Sequence, residues 1–396
     1  MLIIISDLHL TDGTSGEIIS DSAFRLFKNR LSDMAYDASW RCDEHNEEYY
    51  KPIEQIDIIL LGDIMDMIRS EKWNEALETV MPWTKEKQDD FFENVEKIAS
   101  EVLKFNASSF KILKGISEGD IIIPKSMDHA SDVEKNTEKI KYKASNERIA
   151  VKANIYYMIG NHDWFFYIDD TRMDKIRNRV IDELGLANEK GKRFPYKYDD
   201  SVAVKEIQEA HKVFAEHGDR FDKSNYQTPH RDASSVGDVI VIKLLNEIPK
   251  KIEECINKSP RPAGTKEEIE DFIKQLREID NLRPYTLAPA WIAQVLKETK
   301  LDTHVVNKAI NEALGLLVEQ FRLNQFISNH PLKSALMEMF KWGTNFITIE
   351  NLGKIIGHFG FSRDQFESYK QYAIDVSKDQ DKDYFVMGHT HDAEVV

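Results

Sequence analysis

Five short apolar runs along the chain share one feature. "LIII" at residues 2–5 leads into "SDLH", "IILL" at 58–61 into "GDIMD", and "IYYMI" at 155–159 into "GNHD". "KVFAE" at 212–216 leads into "HGDRFD", and "YFVM" at 384–387 into "GHTH". Each run has the length and the β-branched or aromatic content of a strand, and each stops at a cluster of Asp, Asn, His and Gly. In open α/β sheets ligands bind beyond the carboxyl ends of strands, where loops converge. The repeated strand-then-polar-loop pattern therefore predicts an α/β fold with one site built from several strand ends.

Between these runs the apolar positions follow a helical period. Residues 85–114 and 131–153 read as helices carrying many charges. A break falls at "NKSPRPAGTKEE" (257–268), where Thr265 and Glu268 stand in capping-box spacing. From there to about residue 378 the pattern is helical, most apolar over 304–327. The expected organisation is a core over 1–222, a mainly helical insertion or cap over 223–383, and a return to the core at 384–396.

The charge distribution supports that division. Residues 1–222 hold 31 basic and 44 acidic side chains, whereas 223–388 hold 22 and 23. A formal net charge of −16 argues against a duplex-DNA binder, which needs clustered Lys and Arg to neutralise phosphates. It is compatible with short or single-stranded nucleic acid. Cys42 and Cys255 make no disulfide framework, which fits a reducing compartment. The opening apolar run ends at Ile5, too short for a signal peptide or a membrane span. A cytoplasmic protein without a membrane span is expected.

The chemistry sits in the loops. Asp7 and His9, Asp63, Asn161, His217, and the closing His389 and His391 form a mixed carboxylate, amide and imidazole set. Such a set suits Mn²⁺, Fe or Zn²⁺ better than Ca²⁺. Any one of these loops alone is ordinary turn chemistry. Seven ligands can serve two ions if one carboxylate bridges, and paired ions about 3.5–4 Å apart can clamp an in-line phosphoryl displacement.

Taken together, "DLH", "GDIMD", "GNHD", "HGD" and "GHTH" resemble the calcineurin-like metallophosphoesterase family. The resemblance covers the motif-bearing strands and not roughly residues 223–380. It implies a four-layer αββα sandwich and two divalent ions, Mn²⁺ foremost with Fe or Zn²⁺ as alternatives. By the same resemblance Asp7, His9, Asp63 and His391 bind one ion, Asp63, Asn161, His217 and His389 bind the other, and Asp63 bridges. His162 is then the general acid, oriented by Asp163. The implied reaction is hydrolysis of a phosphodiester, phosphomonoester or pyrophosphate by water bridging the ions, on a phosphorylated small molecule or nucleotide. The "HGD" element and the helical cap are similar to UDP-2,3-diacylglucosamine hydrolases, from which the chain departs at His162, where those enzymes carry arginine. Family members continue past Gly-His-x-His, so "AEVV" is expected to open a further strand of a longer protein. The competing class is a non-catalytic module that uses the insertion for partner contacts; an undegraded motif set favours the enzyme.

Two further residues are candidates. Asp66 either orients a ligand or begins a solvated helix. Arg220 either holds a phosphate oxygen or forms a plain salt bridge. The apolar stripe of 304–327 is read as core, and the remaining histidines as surface or packing residues.

Overall fold

The computed structural model describes residues 1–127, 144–282, 287–324 and 363–391, apart from 17, 18, 43, 45, 47, 85, 223 and 227–229. Its strands are β1 (Leu2–Ile5), β2 (Trp40–Cys42), β3 (Glu48–Tyr50), β4 (Gln55–Leu61), β5 (Ile122–Ser126), β6 (Ala144–Ala150), β7 (Lys152–Met158), β8 (Val213–Glu216) and β9 (Tyr384–Met387). All five motif-bearing runs are strands. β1, β4 and β7 form a parallel sheet with β4 central, and β8 and β9 form a second parallel pair.

Period-two alternation sends the side chains of the first sheet into two different apolar clusters. Leu2, Ile4, Ile59, Leu61, Tyr156 and Met158 meet Val213, Ala215 and Val386 of the second sheet, with Val204 and Ile207 beside them. Ile3, Ile5, Ile58, Leu60, Ile155 and Tyr157 point the other way into the main core. Helices α1 (Asp21–Asp37), α2 (Lys72–Glu75), α3 (Asp89–Phe105), α4 (Ala107–Ser117) and α5 (Arg172–Leu184) supply that side. In α3, Phe91, Val95, Ile98, Val102 and their neighbours recur at helical spacing and are buried, each contributing roughly 1.5–3 kcal/mol. Helix α6 (Val202–Ala210) carries Val204 and Ile207.

Beyond the second sheet, Phe214 and Phe385 stack at 5.3 Å, and Tyr372 of the last helix (Arg363–Gln380) packs on both. The chain is thus a mixed α/β protein with parallel sheets and a helical region.

The helical region follows β8 and comprises α7 (Val236–Ile240), a π-helical turn (Val241–Leu245), α8 (Glu247–Asn257), α9 (Lys266–Arg277), α10 (Ala288–Glu298), α11 (Thr303–Leu323) and the last helix, α12. The expected capping box is present: Thr265 Oγ1 accepts from the Glu268 N–H at 3.2 Å, and the Glu268 carboxylate accepts from the Thr265 N–H at 2.8 Å. The α11 stripe, including Val306, Ile310, Ala313 and Leu317, is core, continuous with the cluster that covers the first sheet. Polar contacts pin the seam: Asn74 Nδ2 donates to Ile242 O at 3.0 Å, Asn246 Nδ2 to Ile68 O at 2.9 Å, and Trp164 Nε1 to Asp238 at 3.0 Å.

One expectation is corrected. Residues 144–153, read as helix, instead form β6, paired antiparallel with β5 through Ile122↔Ala150 and Ile123↔Ile149, and the start of β7. A partner strand distant in sequence overrides the helical spacing. The helical readings of 131–143 and 325–362, and the strand expected at 393–396, lie outside the described residues. No helix among the described residues is long and apolar enough to cross a membrane.

Candidate metal centre

The loops after β1 and β4 stay hydrogen-bonded beyond their strands. The N–H of Asp7 donates to Gly62 O at 3.1 Å, that of His9 to Asp63 O at 2.8 Å, and that of Leu10 to Ile64 O at 2.9 Å. The loops after β8 and β9 are tied by the Gly388 N–H to His217 O at 3.1 Å. The His389 N–H, 3.1 Å from the Asp7 carboxylate, joins the two sheets. The loop after β7 joins them through the His162 N–H on Asp63 Oδ1 at 2.8 Å, so all five polar loops meet at one place.

Backbone strain marks the same place. Asp7 (φ 56°), His9 (45°), Asp63 (53°), His389 (71°) and His391 (58°) are five of the eight non-glycine residues with positive φ among the described residues. Such conformations cost of order 1–3 kcal/mol each and persist where surrounding structure enforces them, commonly at functional sites. Gly62 (φ 84°) and Gly160 leave no room for a side chain: a Cβ on Gly160 would collide with the Asp63 carboxylate and with His217.

Two sets of ligand atoms converge. In the first, His9 Nε2 lies 3.1 Å from His391 Nε2, 4.0 Å from Asp7 Oδ1 and 3.8 Å from Asp63 Oδ2, and His391 Nε2 lies 3.5 Å from Asp7 Oδ1. In the second, His217 Nε2 lies 3.2 Å from Asp63 Oδ2 and 3.2 Å from Asn161 Oδ1. The ligand atoms of Asp63, His217 and His389 all fall within 4.8 Å of one another. Asp63 Oδ2 belongs to both sets. All seven expected ligands are thus brought together.

The donor chemistry fits a cation. His217 Nδ1 lies 2.9 Å from Leu61 O, an acceptor only, so Nδ1 carries the proton. A neutral His217 then turns a bare Nε2 toward two acceptor oxygens. His9 Nδ1 is likewise engaged by Asp66 Oδ2 at 2.9 Å, leaving Nε2 among the oxygens and His391. Burial pushes His217 down, but the Asp63 carboxylate raises it to about 10. His9 is held at about 3 by burial and by neighbouring His162. Asp63 stays well below the usual carboxylate range; burial opposes this, but His217 and His162 prevail. These buried His and Asp groups could hold metal ions.

Asp66 is fully buried, and its Oδ2 lies 2.8 Å from His162 Nδ1 as well as 2.9 Å from His9 Nδ1, with Arg69 Nε at 3.3 Å. It contacts both imidazoles, and its burial removes the solvated-helix reading. Burial pushes the His162 pKa down, but Asp66 and Asp63 together raise it. The expected partnership of His162 with Asp163 is corrected. Asp163 accepts from the Gly160 N–H at 2.6 Å, the Ile64 N–H at 2.9 Å and the Tyr157 hydroxyl at 2.6 Å, so it holds the loop and not the ring. Burial, then the charge of Asp63, lifts Asp163 to about 7.

The phosphate-holding expectation for Arg220 is also corrected. Its Nε pairs with Glu216 at 2.8 Å and its guanidinium covers Tyr372 at 4.1 Å, on the face of the second sheet covered by α12. The plain salt bridge is what forms.

Sequence reasoning missed three residues. Asp222 contacts His389 at 3.3 Å. Arg231 ties Gly160 O to Asp219, 2.6 Å from its guanidinium. The Tyr157 hydroxyl donates to Asp163 and accepts from the Met65 N–H at 2.9 Å. Asp222 stands five residues after His217 in the same motif, which was a usable signal; Arg231 and Tyr157 carried none.

Comparison of the chain with family models, curated proteins and solved structures finds no match in any of the three. What defines its class is therefore its own geometry: a mixed α/β protein with buried His and Asp clusters able to hold metal.

Proposed function

We propose that the chain is a binuclear metal-dependent phosphoesterase of calcineurin-like type, its two packed sheets between helices being the αββα sandwich of that family. The observation that carries the reading is the sharing of Asp63 Oδ2 between two converging ligand sets. Asp7, His9, Asp63 and His391 would hold one divalent ion, and Asp63, Asn161, His217 and His389 the other; the donors suit Mn²⁺, Fe or Zn²⁺. Bound there, two ions would supply Lewis acidity to phosphoryl oxygens and a nucleophile drawn from water.

The chain's own residues do the rest. His162 keeps Nδ1 on Asp66, which leaves Nε2 to hold a proton for the leaving oxygen. Its side chain is 10% exposed. Asp163 and Tyr157 fix the loop that carries His162 and Asn161. The substrate class is a phosphorylated small molecule or nucleotide, cleaved at a phosphodiester, phosphomonoester or pyrophosphate bond. Hydrolysis of bis-p-nitrophenyl phosphate by protein stripped of metal and then given Mn²⁺ tests this. Turnover should appear only after the metal is restored, and none in either state would refute the activity.

A further inference from the structure

We propose that Asp222 is a positioning residue for His389, fixing the imidazole tautomer so that Nδ1 is the nitrogen offered to a cation alongside Asp63 and His217. The inference rests on the metal-centre reading above and adds a residue that none of the ligand motifs assigns. His389 Nε2 lies 3.3 Å from Asp222 Oδ2, and the Asp222 side chain is 4% exposed. An ionised carboxylate only accepts hydrogen bonds, so Nε2 must be the protonated nitrogen. Nδ1 is then bare, and it is the nitrogen free to join the ligand atoms of Asp63 and His217.

Asp222 is itself held. Its Oδ1 accepts from the Ser224 N–H at 2.8 Å, and its Oδ2 from Asn225 Nδ2 at 2.7 Å. Both oxygens carry N–H donors, which assigns Asp222 to the support of a ligand and not to the ligand set. The His389 backbone is fixed independently, by its N–H on the Asp7 carboxylate at 3.1 Å and by its left-handed φ of 71°. A side chain whose backbone and one ring nitrogen are both constrained has little freedom left. Carboxylate–imidazole partners of this kind orient metal-ligating histidines, and their loss typically weakens metal binding about 10–100-fold.

The test reads the tautomer first, in metal-free full-length chain labelled with ¹⁵N-histidine at mildly alkaline pH, with His389 assigned by its loss in His389→Gln. The wild type should show His389 as the Nε2–H form, and Asp222→Asn a mixture of forms. Zn²⁺ titration by calorimetry follows. The wild type should take up two ions, and Asp222→Asn should lose about 10–100-fold in affinity for one of them. That ion should be the one retained in His391→Ala and lost in His217→Ala. A wild-type His389 protonated on Nδ1, or an Asp222→Asn chain that binds both ions as the wild type does, overturns the inference alone. A wild type that takes up no ion overturns the metal-centre reading and this inference with it.

Discussion

Asp63 carries the centre more than any other residue. It stands in a left-handed conformation, accepts from the His162 N–H at 2.8 Å, and places one oxygen in both ligand sets. His162 beside it tests the chemistry. His162→Ala should retain metal and lose about 10²–10⁴-fold on substrates with poor leaving groups. Activated nitrophenyl esters, whose leaving group departs without a proton, should suffer far less; an equal loss on both, measured as kcat, would remove His162 from the acid's role. The seven residues that converge were legible in the sequence because each follows a strand within a few residues. Arg231 was not, since its meaning lies in a contact 71 positions away; Asp222 sits in the His217 motif, but its role comes from a contact 167 positions away. Arg220 was left between two readings for the same reason: nothing local announces that Tyr372 will cover it.

At the level of elements, the five motif-bearing strands were readable from length and composition, and the Thr265 capping box from spacing alone. β6 was not readable as a strand, because its identity comes from β5. The strand-end glycines show how elements set the site. Gly160→Ala puts a methyl group against Asp63 and His217, so it should abolish metal binding in a chain whose circular dichroism is still that of a folded protein. Thr265→Ala should do the reverse. It should cost about 1 kcal/mol in chemical denaturation, as cap removal does, and leave metal binding as it was. Equal metal affinity in both variants would show that the Gly160 turn does not shape the centre.

For the whole molecule, the layers and the helical region are one packing problem. Side chains of α7, α8 and α11 share an apolar cluster with those covering the first sheet. Replacing residues 236–323 by a short linker would therefore expose core, and the product should lose its single cooperative thermal transition. A variant that still melts cooperatively with metal bound would show the region to be a separable unit. The sequence announced this region by its charge balance and helical period; its shared core depends on contacts with Ile68 and Asn74 that no local pattern reveals. The central claim is that the convergent loops hold two ions across Asp63. Anomalous diffraction from crystals loaded with Mn²⁺ measures it directly. Two peaks about 3.5–4 Å apart, one beside Asp7, His9 and His391 and one beside Asn161, His217 and His389, are the expected result; a single peak, or none, at full loading would contradict it.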